Sequence, residues 1–180
     1  MAALAPRALA LGEERVLEWR GRLHFGWFSS YASDSTWFKV EWDPDRTHLL
    51  SARLVWRARR GAVPTATAFR VRLDGRLVGS GGWPVWSSGE ISGEADVTGL
   101  LTPGTHHVSV EAVGAPTWPY NVEFEVAIYV RYEGERPEHE QEEPPSRRAL
   151  DLVKWALVLG GVAVGALAAE RIARAVRGRG

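Results

Sequence analysis

Two adjacent histidines, His106 and His107, form the densest set of metal-ligating or general-base side chains in this chain of 180 residues. They sit in the alternating stretch "HHVSVEAV". Neighbours on an extended strand point to opposite faces, so the two imidazoles cannot readily chelate one ion. His24 and His48 stand alone, a poor spacing for a metal site. Glu90, Glu94 and Asp96 share one face of another alternating segment. A row of carboxylates on an exposed sheet face is ordinarily solvated, and glycoside hydrolysis needs its two carboxyl groups set across a cleft. No G-x-S-x-G elbow, H-E-x-x-H pair, phosphate-binding loop or dinucleotide fingerprint occurs. Cysteine is absent, which excludes disulfides, thiolate metal sites and cysteine nucleophiles together. Basic and acidic residues balance at 22 each, so bulk charge gives no case for nucleic acid. The sequence therefore points to a protein that is not an enzyme, with no catalytic residue, metal or cofactor.

Aromatic side chains carry the remaining chemistry. "GGWPVWSSGE" places Trp83 and Trp86 in a run of Gly, Pro and Ser, and "TWPY" repeats the theme with Trp118 and Tyr120. Rings on such connections stack on sugar faces, anchor protein partners, or fold back to plug the end of a β-domain. These four are the candidate partner- or sugar-binding residues. Pro84 fixes its own φ and biases Trp83 toward an extended conformation. The expectation is that Trp86 plugs the core and Trp83 makes the contact.

The elements that position these rings have a period of two. "SARLVWRAR" puts Ala52, Leu54, Trp56 and Ala58 on one face and Ser51, Arg53, Val55, Arg57 and Arg59 on the other. "NVEFEVAIYVRY" does the same with Val122, Phe124, Val126, Ile128, Val130 and Tyr132. "LEWRGRLHFGW" alternates through Leu17, Trp19, Leu23, Phe25 and Trp27. Such alternation indicates half-buried antiparallel strands. Turn chemistry separates them at 43–45, at Asp74-Gly75, at Pro103-Gly104 and at 114–116. The expected fold is all-β: a single jelly-roll-like antiparallel β-sandwich of about eight strands over residues 13–132, behind an N-terminal arm, 1–12.

After Tyr132 the texture changes. Residues 133–149 are acidic, contain proline and lack periodicity, as in a linker. Residues 155–169 carry no charge, and with snorkelling of Lys154, Glu170 and Arg171 the apolar stretch reaches 150–172. A crossing helix needs roughly 20 such residues, so one C-terminal transmembrane α-helix is expected there. Gly161, Gly165 and Ala169 form a small-residue row suited to close helix packing. A basic tail, 173–180, follows. The Lys/Arg balance favours the tail on the inner side and the sandwich outside, yet no secretory signal opens the chain. A viral membrane protein and a tail-anchored cellular protein both remain compatible. One Asn, one Gln, one Met and no Cys give the depletion of thermolabile residues expected of a thermophile.

The stretch "FRVRLDGRLVG…GEADVTGLLTPGTHHVSVEAV" resembles the galactose-binding-domain-like jelly rolls, accessory modules of many glycoside hydrolases. The matching residues are Val71, Leu73, Asp74 and Gly75, then Asp96, Val97, Thr98, Leu100, Leu101, Pro103 and Gly104, then Val108 and Val110. Where that family often has Asn, this chain has His106. The resemblance implies a jelly roll with a binding or scaffolding role, and it carries over no ligand residues. The expected function is that of a membrane-anchored interaction protein, its sandwich docking to protein partners in a virion or cell-envelope assembly, with a homo-oligomer among the options. The alternative is a membrane-tethered carbohydrate-binding module.

Overall fold

The structure is a computed structural model describing residues 11–142. The apolar span at 150–172, its packing residues Gly161, Gly165 and Ala169, and the basic tail lie outside the described residues. Nine strands occur: β1 (Leu11–Phe25), β2 (Tyr31–Glu41), β3 (Thr47–Arg60), β4 (Thr67–Leu73), β5 (Arg76–Trp83), β6 (Gly89–Asp96), β7 (Gly104–Gly114), β8 (Tyr120–Gly134) and β9 (Glu138–Glu142). Among the described residues no helix is long and apolar enough to cross a membrane.

The strands form two antiparallel sheets, ordered β1-β8-β3-β6 and β5-β4-β7-β2-β9. Pairing joins β1 to β8, β2 to β7, β3 to β6 and β4 to β5. One long eight-stranded hairpin is thus rolled into two layers, which is a jelly roll. The ninth strand adds to the free edge of β2 through Trp37↔Glu142 to Glu41↔Glu138. Part of the acidic segment assigned to the linker is therefore sheet, and so are Leu11 and Gly12 of the N-terminal arm. Four of the five residues of β9 are charged or titratable, which suits an edge that must not template further strands.

Inward faces follow the alternation. Every apolar residue named above on β3 and β8 is buried, opposite Phe69, Val71, Val108, Val110 and Phe38 of the second sheet. In β1 the register shifts between Arg15 and Leu17, so Val16 and Leu17 are both buried. Trp27 departs from its expected place. β1 ends at Phe25, and Trp27 stands exposed in the turn beyond it.

Across the layers, Trp56 lies in a slot cleared by glycines. Gly93 is its register partner on β6, and a Cβ there would come within 2.8 Å of the indole; at Gly81 of β5 one would come within 2.9 Å. The remote end of the sandwich is pinned by polar bonds. Asp74 and Gly75, both at positive φ, make the two-residue β4–β5 turn. Asp74 accepts from the backbone N–H of His107 at 2.8 Å and meets Nδ1 of His106 at 2.7 Å. Nε2 of the same imidazole meets the carbonyl oxygen of Thr102 at 2.7 Å. Thr98 donates to Asp96 from both its backbone N–H and its hydroxyl, bracing the turn after β6.

Candidate binding surface at the aromatic end

Antiparallel register brings four connections to the other end of the sandwich: 26–30, 61–66, 84–88 and 115–119. Exposed Trp27, Phe28, Val85, Trp86 and Trp118 all belong to these loops. These side chains give that end an apolar rim.

The four sequence candidates meet here in two layers. Trp86 is 62% exposed and Trp118 45%, and their ring centroids lie 5.9 Å apart at a tilt of 53°. Trp83 and Tyr120 lie beneath them, only 4% and 8% exposed. Trp83 is the last residue of β5, its indole N–H donating to the Gly89 carbonyl at 3.1 Å. Tyr120 stacks on Phe25 with centroids 4.3 Å apart, and its hydroxyl lies 3.2 Å from that of Thr67. The expected roles of the two loop tryptophans are thus exchanged: Trp83 plugs and Trp86 projects. The cause is local. Trp83 still follows the strand alternation, whereas Trp86 adopts φ 59° and donates its backbone N–H to Val63 O at 2.7 Å, turning its ring outward. Phe28, at φ 61°, is held in the same unusual conformation, with its N–H on Thr117 O at 3.3 Å. Aromatic residues seldom occupy this region, and such strain persists where surrounding bonds impose it.

Beside Trp118 an open cleft of about 720 Å³ runs between the β3–β4 loop and the start of β8. Polar groups of Arg59, Ser88, Asn121 and Glu123 line it, with Arg60 and Tyr120 at its floor. Asn121 Oδ1 lies 2.8 Å from His24 Nδ1, and Glu123 accepts from Arg22 at 2.7 Å. Burial pulls the Arg60 guanidinium below its ordinary pKa, a shift opposed by Tyr120. Sequence reasoning missed two features of this end. Alternation puts Trp27 on a strand face, whereas β1 ends at Phe25. Arg60 sits two residues beyond Ala58 and thus on the inward face of β3, and a charged residue at an inward position was its visible signal.

The other chemistry-bearing residues do not gather here. His106 is buried in the polar clamp at the remote end, and His107 packs on Trp37 with centroids 4.5 Å apart. Among the described residues no group of three or more His, Asp or Glu is placed to hold a metal ion.

No family model matches the chain, and no curated protein matches it. Solved structures do. The CBM36-1 domain of a multidomain xylanase from the hindgut metagenome of Trinervitermes trinervoides is 9% identical, covers 66% of this chain and 96% of its own, and has a TM-score of 0.34. A CBM36 carbohydrate-binding module in complex with calcium and xylotriose is 12% identical, with 66% and 97% covered and a TM-score of 0.30. An FMN-binding beta-glucuronidase from Facaelibacterium prausnitzii L2-6 is 16% identical over 52% of this chain, with a TM-score of 0.29, and the match spans only 15% of the glucuronidase. The chain's own residues form an all-β sandwich with an aromatic end.

Proposed function

We propose that this chain is a non-catalytic carbohydrate-binding module, tethered to a membrane through residues 150–172, that lays sugar rings against Trp118 and Trp86. The observation that carries this reading is exposed Trp118 at the wall of a polar cleft, with exposed Trp86 packed beside it. A sugar offers an apolar C–H face and a rim of hydroxyls. Indole faces take the first, and the amide of Asn121, the carboxylate of Glu123 and the guanidinium of Arg59 take the second. The tether rests on the sequence alone. Trp118→Ala and Trp86→Ala should leave the melting temperature nearly unchanged and weaken glycan binding by about 2 kcal/mol each, roughly thirtyfold. Affinity electrophoresis or calorimetry against a panel of soluble glycans checks this. Unchanged glycan binding in both variants removes the proposal.

One observation favours a second reading, docking to a protein neighbour. Trp27 and Phe28, with ring centroids 6.3 Å apart, form an exposed apolar tip that is not part of the cleft. Rigid aromatic anchors of this kind carry protein contacts. That reading predicts that Trp27→Ala, rather than Trp118→Ala, weakens assembly.

A further inference from the structure

The floor of the cleft beside Trp118 is cationic and unmatched. Resting on the carbohydrate reading above, we propose that the ligand is an acidic saccharide, one carrying carboxylate or sulfate groups.

Arg60 is only 3% exposed, yet it lines the cleft. Its guanidinium donates from Nη1 to Thr65 O at 2.9 Å and to the Thr67 hydroxyl at 2.5 Å, and from Nη2 to Pro84 O at 2.6 Å. All three acceptors are neutral. The Trp83 ring lies 5.3 Å away, and Tyr120 is near enough to favour the charged guanidinium. Nε is buried with no hydrogen-bond partner. No carboxylate among the described residues forms an ion pair with this arginine. A buried cation without a counter-charge is costly, and carbonyl dipoles and a ring face offset only part of that cost.

The surrounding charges do not supply the missing one. Glu123 is paired with Arg22 at 2.7 Å. Arg59 stands in register between Glu90 on one neighbouring strand and Glu123 on the other. The outer charges around the cleft therefore match one another, and the surplus is the guanidinium beneath. With so little of the side chain exposed, its charge is screened less than that of a surface arginine. An anion bound against Trp118 would complete the pairing. A neutral sugar offers no counter-charge.

A purely structural Arg60, cross-linking the β3–β4 and β5–β6 loops through Thr65 and Pro84, makes a different prediction: no preference between acidic and neutral ligands. The test is calorimetric titration of the full chain in detergent micelles with oligogalacturonate and with a neutral xylo-oligosaccharide of equal length, at low and at high salt. The acidic oligomer should bind about tenfold more tightly at low salt, and the advantage should shrink as salt rises. In Arg60→Gln the advantage should vanish while neutral binding persists. If that variant does not fold, the salt-dependent preference of the unaltered protein decides. Equal or tighter binding of the neutral oligomer overturns acidic specificity and leaves the carbohydrate reading standing. Binding of neither oligomer overturns both. An acidic preference that survives in folded Arg60→Gln overturns the assignment to this arginine.

Discussion

Trp83 and Trp86 lie three residues apart and do opposite work. The first completes a strand and stacks over a buried guanidinium, with its N–H satisfied by Gly89 O. The second is turned to solvent by a left-handed backbone conformation. Truncating the buried ring removes packing from the end of the core and also takes away the aromatic face above Arg60. Trp83→Ala should therefore cost about 3–5 kcal/mol of stability, measured by urea unfolding. A loss below about 1 kcal/mol would mean that the β5 end relaxes around the cavity and Trp83 is no plug. Proline was the cue for both rings, but Pro84 restricts only its own φ and the residue before it. It says nothing about the sign of φ at Trp86, two residues on.

The two edges and the inter-layer gap decide how well the strands pack. Trp56 reaches from β3 toward β5 and β6, and these strands clear its volume with glycine. Gly93→Ala should push a methyl group against the indole and destabilise the domain by about 1–3 kcal/mol, since overpacked cores shift rather than compress. A neutral result in thermal unfolding would show that the ring swings aside. On the outer face of the four-stranded sheet, Glu125 accepts hydrogen bonds from Arg57 and Arg20. Burial opposes its ionisation, but these two guanidinium groups outweigh that and hold its carboxyl below the ordinary range. A depressed folded-state pKa stabilises above the unfolded value and loses that contribution as pH falls through the folded one. Glu125→Gln should therefore lose less stability than the unaltered protein between about pH 5 and pH 3. Parallel acid limbs in the two stability curves would remove Glu125 from the ladder.

At the scale of the whole molecule, the chain runs on for 38 residues after Glu142. β9 runs antiparallel to β2, so the backbone at Glu142 is directed back toward the end of the sandwich where β2 begins. The acidic and apolar segments follow in sequence. A chain ending at Glu142 should remain in the aqueous phase without detergent, whereas the full chain should stay with membranes through alkaline carbonate washing. Release of the full chain by carbonate would sink the tether and leave a sandwich with an aromatic end.

The sequence by itself determined most of the strands, most of their inward faces and the tight turns, because period-two alternation and Asp-Gly or Pro-Gly chemistry act within a few residues. It also held the four aromatic candidates, and antiparallel register does bring them to one end. It did not separate the layers they occupy. The ninth strand was hidden because an acidic edge strand lacks an apolar face to reveal it. Strand pairing in a jelly roll joins residues as far apart as Leu11 and Glu133, so no local pattern encodes it. Arg60 shows the limit most clearly. Its place on the inward face was written in the alternation, but its role depends on which loops close over it. Only the packed ends of β5 and β8 place an indole, a phenol and neutral carbonyls around that charge while leaving a cleft above it.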